Sequence, residues 1–96
     1  MEYVLSKEAY LDIEEIWLYS LENWSLEQAD RYVNLIFDEI KHLTKNPKSG
    51  KDYSFLRKGY FRAEVKSHFI FYKVDIKLEV IRILHQRMDI QNRLPK

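Results

Sequence analysis

The chain contains no cysteine, and only two glycines and two prolines occur among its 96 residues. The lack of cysteine excludes disulfide bonds, thiol catalysis and thiolate metal sites. The scarcity of glycine and proline, together with 46% hydrophobic and 15% aromatic residues, excludes a disordered or collagen-like chain. A chain of this length builds one modest hydrophobic core, so we expect residues 1–96 to form a single domain.

Several other patterns are missing as well. No apolar run approaches the roughly 20 residues that a membrane helix requires. The first residues also lack the basic and apolar regions of a secretion signal. These absences favour a cytoplasmic protein without membrane contact. No His pair has metal-ligand spacing, and P-loop and dinucleotide-binding motifs are missing, so we expect neither a metal nor a cofactor.

Charge is distributed unevenly along the chain, although the net charge is only +1. Residues 1–48 carry five Lys and Arg against ten Asp and Glu, whereas residues 49–96 carry eleven against five. One explanation is an acidic or polyanionic partner for the basic second half. The other is that acidic helices neutralise a basic sheet within one fold.

The first half of the chain has two helical patterns after a short apolar run, Tyr3–Leu5, which predicts a strand. Ser6 can cap the first helix, and the acidic residues of that helix, Asp12 among them, lie largely off its apolar face. Ser25 opens the second helix with a capping box, and Pro47 helps to end it. Two helices with almost no connection predict an antiparallel helical hairpin. The apolar face of the first helix comprises Ala9, Ile13, Ile16, Trp17, Ser20 and Trp24.

From Gly59 onwards the apolar period changes from 3.6 to 2 and predicts three strands, Tyr60–Val65, His68–Val74 and Leu78–His85. Their short connections make the strands antiparallel. The fold class is therefore α+β: a short N-terminal strand, a helical hairpin, and a three-stranded antiparallel sheet packed on the helices. Because successive side chains of a strand point to opposite sheet faces, one face is expected to pack on the helices. This face comprises Phe61, Ala63, Val65, Ile70, Tyr72, Ile81 and Ile83.

The opposite sheet face mixes apolar and basic side chains. Because little sequence remains to cover it, an exposed patch that binds a partner is expected there. Alternatively, residues 49–58 and the tail, which begins at Gln86, fold over it. Arg62 and Arg82 flank Phe71 on adjacent strands. The two guanidinium groups can hold a phosphate or a carboxylate. Alternatively, they are solvated, stack on the Phe71 ring and pair with Glu64. This face comprises Tyr60, Arg62, Glu64, Phe69, Phe71, Lys73, Val80, Arg82 and Leu84.

Two further groups of residues can carry chemistry. His85 ends the last strand and can transfer protons, with Asp89 either orienting it or capping the next turn. The structural alternative is a histidine that is hydrogen-bonded at a strand end. Tyrosines can stack on bases, although Tyr19 and Tyr32, like other helical tyrosines here, fit the core or its edge better.

The chain resembles the ParE toxins of the RelE/ParE superfamily over nearly all of its length. The order and spacing of many short matches carry the resemblance. They are Leu5-Ser6-Lys7-Glu8-Ala9, Leu11-Asp12-Ile13-Glu14-Glu15-Ile16-Trp17, Gln28-Ala29-Asp30-Arg31-Tyr32, Leu43 with Asn46-Pro47, Leu56-Arg57, Gly59-Tyr60-Phe61-Arg62, Ser67-His68-Phe69-Ile70-Phe71-Tyr72 and Ile81-Arg82-Ile83-Leu84-His85-Gln86-Arg87-Met88-Asp89.

The resemblance implies the toxin of a type II toxin–antitoxin module. The C-terminal segment of a cognate antitoxin is expected to wrap the toxin, and its N-terminal part to dimerise and bind operator DNA, giving a hetero-oligomer. ParE members poison DNA gyrase, whereas RelE members cut messenger RNA in the ribosomal A site. The shared fold alone does not choose between these targets.

The residues present favour the gyrase branch. Arg62 and Arg87 match basic positions of the RNA-cutting members, but Phe69 and Arg93 stand where those members carry an arginine and often a catalytic tyrosine. We therefore expect a toxin that acts by binding, with no catalytic residue. The alternatives are an endoribonuclease that uses Arg62, His85 and Arg87, or a degenerate member that only binds antitoxin. Expected target-binding residues are Arg62, Arg82, Arg87, Met88 and Asp89, with the tail through Lys96, and expected antitoxin-binding residues are Phe69, Phe71 and Leu84.

Overall fold

A computed structural model describes residues 1–95, so Lys96 lies outside the described residues. The α+β class, the helical hairpin and the bounds of the three long strands are as predicted. The elements in chain order are β1 (Tyr3–Leu5), α1 (Lys7–Asn23), α2 (Leu26–Lys45), β2 (Lys51–Asp52), β3 (Tyr60–Val65), β4 (His68–Val74), β5 (Leu78–His85) and α3 (Ile90–Arg93).

Serine side chains begin both long helices. The Ser6 hydroxyl accepts a hydrogen bond from the Ala9 N–H at 2.9 Å, and the Ser25 hydroxyl accepts one from the Gln28 N–H at 3.1 Å. Each bond satisfies one of the amide groups that a helix leaves free in its first turn. Both predicted caps are thus confirmed. Within residues 1–95 no helix is long and apolar enough to cross a membrane.

The sheet has five strands in the order β1-β5-β4-β3-β2, not three. Its three long strands pair antiparallel as predicted, and two short strands extend the edges. Strand β1 lies parallel to β5 and pairs with it only through Leu78–Val80. Strand β2 has two residues and pairs antiparallel with β3. The predicted strand Tyr3–Leu5 is thus confirmed, whereas β2 has too few residues for a period of 2 to reveal it.

A bulge in β5 reverses one detail of the predicted sheet faces. Phe71 lies opposite Arg82, whereas the next residue, Tyr72, lies opposite Val80. Ile81 is therefore the extra residue, and the side chains before it change faces. Val80 is fully buried in the core under the helices, and Ile81 packs on the other side of the sheet. The expectation that Ile81 faces the helices and Val80 faces away is wrong.

The main core lies between the helical hairpin and the inner sheet face. Tyr72 is its largest fully buried residue, and its hydroxyl donates to the Pro47 carbonyl at 2.8 Å and accepts from the Gly50 N–H at 3.1 Å. A Cβ at Gly50 would lie 2.5 Å from that hydroxyl and 2.9 Å from the Arg62 carbonyl oxygen. The chain therefore needs glycine where it leaves α2 and crosses the sheet.

A second apolar cluster covers the outer sheet face. Phe71 and Leu84 are fully buried, beneath Leu56 of the 49–58 segment and Leu94 of the tail. The expectation of an exposed patch here is wrong, and the alternative, that loop and tail fold over this face, is confirmed. Arg57 helps to hold the tail, because its guanidinium donates to carbonyl oxygens of Gln91 and Pro95 at 2.8 and 3.1 Å.

Candidate functional site

A groove of about 660 Å³ lies between α1, the start of α2 and the adjoining ends of β4 and β5. Its lining combines aromatic rings with two carboxylates and two histidines. The groove residues are Asp12, Glu15, Ile16, Tyr19, Ser20, Trp24, Gln28, Tyr32, Ser67, His68, Ile83, His85 and Met88.

Two aromatic side chains of the groove are mostly in solvent, Trp24 at 70% exposure and Tyr19 at 65%. The helical period places Trp24 on the apolar face of α1, but α1 ends at Asn23. Trp24 has φ −129° and ψ −93°, so its side chain no longer follows the helical stripe. Large exposed aromatic groups beside a groove are typical of partner surfaces.

Tyr32 and His68 form a hydrogen-bonded pair at the inner end of the groove. The Tyr32 hydroxyl accepts from the Ser67 N–H at 3.2 Å and lies 2.7 Å from His68 Nδ1. Burial, with a smaller contribution from nearby His85, lowers the pKa of His68 to about 4. His68 is therefore uncharged at neutral pH.

His85 stands beside this pair, with its ring centroid 5.1 Å from that of His68. Its Nδ1 accepts a hydrogen bond from the Arg87 N–H at 3.1 Å. Asp89 does not orient this ring, because its Oδ2 accepts from Asn92 at 2.6 Å at the start of α3. His85 is therefore hydrogen-bonded at the strand end, with its ring on the groove.

Asp12 forms the wall between the groove and the edge of β5. The helical pattern predicts a solvated acid at this position, yet only 9% of the residue is exposed. Its carboxylate accepts from Arg82 Nε at 2.8 Å, from Arg82 Nη2 at 2.9 Å and from the Ile83 N–H at 2.9 Å. Strand β1 pairs with β5 only as far as Val80. Beyond Val80, side chains of α1 and of its N-cap hydrogen-bond to the backbone of β5. The Ser6 hydroxyl does the same for the Ile81 carbonyl, donating to it at 2.6 Å.

Arg82 is largely enclosed, with 18% of its side chain exposed. Besides its two bonds to Asp12, its Nη1 donates to the Arg93 carbonyl oxygen at 2.9 Å. The hydrogen bonds to Asp12 raise the pKa of Arg82 further above its usual value. Arg82 therefore ties α1 to the tail, and its guanidinium is not presented to solvent as the sequence suggested.

Arg62 lies on the outer sheet face among aromatic rings. Its guanidinium carbon is 4.2 Å from the Phe69 ring centroid and 5.1 Å from that of Tyr53, and Nη1 donates to the Tyr53 hydroxyl at 3.3 Å. The predicted row of Arg62, Phe71 and Arg82 on adjacent strands is confirmed. The predicted alternative of a pair with Glu64 is not seen: within residues 1–95, Arg62 has no carboxylate at ion-pair distance.

The sequence-predicted site residues do not form one cluster. Strand register places Arg62 on the outer sheet face and His85 on the inner face, so the three candidate nuclease residues are not brought together. Arg87 is exposed, and Met88, 39% exposed, lines the groove. Within residues 1–95, no group of His, Asp and Glu is placed to hold a metal ion.

Sequence reasoning missed that Tyr19 and Trp24 are exposed on the groove. Helical period assigned Tyr19 to the core or its edge and Trp24 to the α1 stripe, whereas Tyr32 packs at the edge of the core as predicted. The place of Tyr19 and Trp24 on the groove depends on where α1 ends and on how far the sheet reaches beneath it. The serine cap at position 25 was the one local signal that α1 ends just before Trp24.

Comparisons with known proteins agree with this architecture. A family model described as "ParE toxin of type II toxin-antitoxin system, parDE" matches residues 3–90. Toxin ParE1 of Caulobacter vibrioides is 38% identical over 92 residues, which cover 96% of both chains. Toxin ParE1 of Mycobacterium tuberculosis is 35% identical over 94 residues, again covering 96% of both. Toxin ParE of Escherichia coli is 31% identical over 94 residues, covering 96% of this chain and 91% of the relative.

A solved structure described as "Chromosomal ParDE TA system from P. aeruginosa" has the same fold. It aligns with a TM-score of 0.78 and 18% identity, over 88% of this chain and 95% of the other. Fold and sequence together define the toxin component of a type II toxin–antitoxin system. The chain belongs to the ParE toxin family, as the sequence resemblance predicted.

Proposed function

We propose that this toxin inhibits DNA gyrase by binding it, acts in the cytoplasm, and is neutralised by an antitoxin that occupies the groove. The observation that carries the choice of binding over catalysis is the separation of Arg62 from His85 on opposite sheet faces. Acid–base and charge-stabilising groups must act on the same reacting atoms. Membership of the ParE family supports gyrase as the target.

The gyrase-contacting surface comprises Arg62, Arg87 and the tail. Arg87 is exposed beside Met88, and Asp89 starts the short helix of the tail. Arg82 contributes by holding the tail through the Arg93 carbonyl and not by direct contact. Guanidinium groups suit both acidic protein surfaces and DNA phosphates.

Purified gyrase provides the test. We expect supercoiling to fall in the presence of excess toxin, and Arg62→Ala with Arg87→Ala to weaken inhibition at least tenfold in a folded protein. Arg31→Ala is the control, since Arg31 pairs on the surface of α2 with Glu27. Unaffected supercoiling at toxin excess contradicts the proposal. Cleavage of ribosome-bound message would instead favour the endoribonuclease, and harmless expression of folded toxin would favour the degenerate member.

The antitoxin is assigned to the groove because that surface is open. Of the residues predicted to bind it, Phe71 and Leu84 are fully buried under loop and tail, and only Phe69 is partly exposed. Those residues can contribute only where the tail is displaced. In the groove, Trp24 and Tyr19 offer apolar surface beside the exposed carboxylate of Glu15, whereas the Asp12 carboxylate is engaged by Arg82 and Ile83. An antitoxin segment with apolar side chains and at least one Lys or Arg fits this chemistry.

Calorimetric titration of toxin with its antitoxin tests this assignment. Trp24→Ala and Tyr19→Ala are expected to weaken binding by roughly 10- to 100-fold, as the loss of buried aromatic anchors does. Tyr10→Ala is a matched control, because Tyr10 is also an exposed tyrosine of α1, at 59%, but lies outside the groove. Equal effects of the Tyr10 and Tyr19 substitutions would refute a groove-specific interaction.

Toxin and antitoxin are proposed to form a hetero-oligomer that contacts operator DNA through the antitoxin. The acidic first half of the toxin, with ten Asp and Glu against five Lys and Arg in residues 1–48, is unsuited to duplex DNA. Gel-shift titration should show specific operator binding by the antitoxin and by the complex, and no preference for operator over unrelated duplex by the toxin alone. An operator-specific shift with toxin alone would overturn this part of the proposal.

A further inference from the structure

Four planar side chains pack in a row at one end of the outer sheet face, here called the planar stack. Phe55 packs on Tyr53 with ring centroids 4.6 Å apart and ring planes tilted by 45°. The Arg62 guanidinium lies between Tyr53 and Phe69, 5.1 and 4.2 Å from the two ring centroids. The stack thus runs Phe55, Tyr53, Arg62, Phe69, and its outermost ring, Phe55, is 76% exposed.

The segment that carries Phe55 is held by hydrogen bonds. The Tyr53 N–H donates to the Tyr60 carbonyl at 2.8 Å, and the Leu56 N–H donates to the Tyr53 carbonyl at 2.9 Å. The Asp52 carboxylate accepts from the Ser54 N–H at 2.8 Å. These bonds fix the backbone on both sides of Phe55. A large aromatic ring held in solvent by an ordered turn is a feature of binding surfaces.

The charge around the planar stack is positive. Residues 51–62 contain four Lys and Arg, at positions 51, 57, 58 and 62, against the single carboxylate of Asp52. Glu64, opposite Phe69 across the pair β3–β4, is the next acid along the chain, so the cations remain in excess. Lys51 lies directly opposite Arg62 across the pair β2–β3. The Arg57 guanidinium bonds only backbone carbonyl oxygens, so its charge too has no carboxylate partner within residues 1–95.

We propose that the planar stack binds single-stranded nucleic acid, with an unpaired base on the open face of Phe55 and the adjoining phosphates near Lys51 and Arg62. Base stacking on aromatic rings beside a cationic groove is the usual chemistry of sequence-tolerant single-strand binding. Paired bases are already stacked and cannot insert on Phe55, so duplex DNA is a poorer ligand. An acidic protein segment would satisfy the cations, but it covers the ring only where it also carries an aromatic side chain, whereas every nucleotide brings both a phosphate and a planar base. The inference rests on the planar stack and does not require the gyrase proposal; Arg62 belongs to both surfaces, so Phe55, which belongs only to the stack, separates the two.

Fluorescence anisotropy tests the proposal with the full-length toxin and labelled oligothymidine and oligouridine of about 12 nucleotides, long enough for one site. We expect saturable binding of at least one oligonucleotide and weaker binding of a duplex of equal length. Phe55→Ala should weaken binding about tenfold, the effect expected for one stacked base, while Phe55→Trp should preserve it. Because Phe55 is exposed, neither change threatens folding.

Arg62→Ala should weaken binding and lower the dependence of log Kd on log salt by about 0.7 for each phosphate that the variant no longer neutralises. Tyr10→Ala and Lys77→Ala are the matched controls: an exposed aromatic ring on acidic α1, and a cation that pairs with Glu2 at 3.7 Å. Both should bind as the unsubstituted toxin does. The stronger of the DNA and RNA affinities identifies which polymer the planar stack prefers.

Absence of saturable binding up to about 100 μM, the weak end of non-specific nucleic-acid affinity, overturns the proposal. So does unchanged binding after Phe55→Ala. If that variant keeps oligonucleotide affinity but loses gyrase inhibition or antitoxin affinity, the planar stack is a protein-binding surface, and the nucleic-acid proposal is wrong. Failure of gyrase inhibition with oligonucleotide binding intact would refute only the gyrase proposal.

Discussion

At the scale of single residues, Asp12 is a carboxylate that is almost fully buried and depends on its hydrogen-bond donors. Its side chain is 10% exposed, and it accepts two hydrogen bonds from Arg82 and one from the Ile83 N–H. A carboxylate in such a position is stabilising only as long as all its donors remain, because a buried charge without a partner is costly. Helical period predicts that Asp12 is solvated, but in the structure its carboxylate joins α1 to β5.

Asp12→Ala is expected to lower the free energy of unfolding by about 3–5 kcal/mol, since it leaves a largely buried guanidinium and an amide without their acceptor. Urea denaturation measures the change. The control is Glu27→Ala, which breaks an exposed pair with Arg31 and should cost well under about 1 kcal/mol. Similar small effects in both variants would show that the Asp12 pair does not hold the fold.

His68 gives a residue-scale prediction about pH. Burial keeps its folded-state pKa near 4, below the ordinary 6.5, so the unfolded chain binds a proton that the folded protein does not. Its contribution to stability is fully present above pH 6.5 and is lost as pH falls from 6.5 to 4. The loss is less than the roughly 3.4 kcal/mol that this difference in pKa gives for a ring shielded from solvent, because His68 is only partly buried. His68→Gln should flatten this slope of stability against pH, whereas His42→Gln, at an exposed position, should not. Equal slopes for His68→Gln and the unsubstituted toxin would contradict this account.

At the scale of elements, the tail behaves as a strap over the outer sheet face. Leu94 is 4% exposed and packs in the cluster that contains Phe71 and Leu84. Carbonyl oxygens of the tail accept hydrogen bonds from Arg57 and Arg82. The bonds involve backbone oxygens, so many tail sequences could be held in the same way.

Arg57→Ala should loosen the tail, because it removes the hydrogen bonds to the Gln91 and Pro95 carbonyls and costs about 1–2 kcal/mol locally. We expect faster hydrogen exchange at the Leu94 N–H, which bonds to the Ile90 carbonyl at 3.1 Å. Lys58→Ala, an exposed neighbour in the same segment, is the control and should leave exchange unchanged. Protection of Leu94 that survives Arg57→Ala would mean that apolar packing alone holds the tail.

At the scale of the whole molecule, the groove and the tail share the guanidinium of Arg82. A basic antitoxin residue that approaches Asp12 should draw its carboxylate from Arg82 and so weaken the bond to the Arg93 carbonyl. Antitoxin binding is then expected to lower the protection of the Leu94 amide severalfold, and by linkage a loosened tail should favour antitoxin binding. Arg82→Lys should abolish this response. An unaltered Leu94 exchange rate in the saturated complex would disprove the coupling.

Much of this architecture follows from local patterns in the sequence. Serine caps and helical period place α1 and α2, and alternation places the three long strands, because these signals depend on neighbours only a few residues apart. What could not be predicted depends on distant contacts. Asp12 is buried because α1 packs beside an unpaired part of the β5 edge. Val80 and Ile81 face the opposite sheet sides from those predicted because of a bulge that no local residue signals.

The candidate site shows the same division. Arg62 and its row across the sheet follow from strand register, but the covering of Phe71 and Leu84 depends on where the tail lies. Of the two cations that hold the tail, Arg57 is 34 residues from its acceptor Gln91 and Arg82 is 11 residues from its acceptor Arg93, and both donate to backbone oxygens. Every residue has a backbone carbonyl, so residue identity does not reveal which carbonyls accept these bonds. The sequence could therefore predict a covering tail only as one of two alternatives, the other being an exposed patch.

The way in which β5 is closed has a consequence for solubility. An unpaired strand edge is a template on which another chain can add a strand, and proteins that leave such edges open tend to self-associate. Here β1 covers β5 only to Val80, and beyond it Ser6 and Asp12 occupy the backbone groups of Ile81 and Ile83. A variant without the Asp12 carboxylate should therefore form intermolecular β-structure more readily than its reduced stability explains, so a search for tolerated changes in this toxin should spare position 12 even where the fold survives.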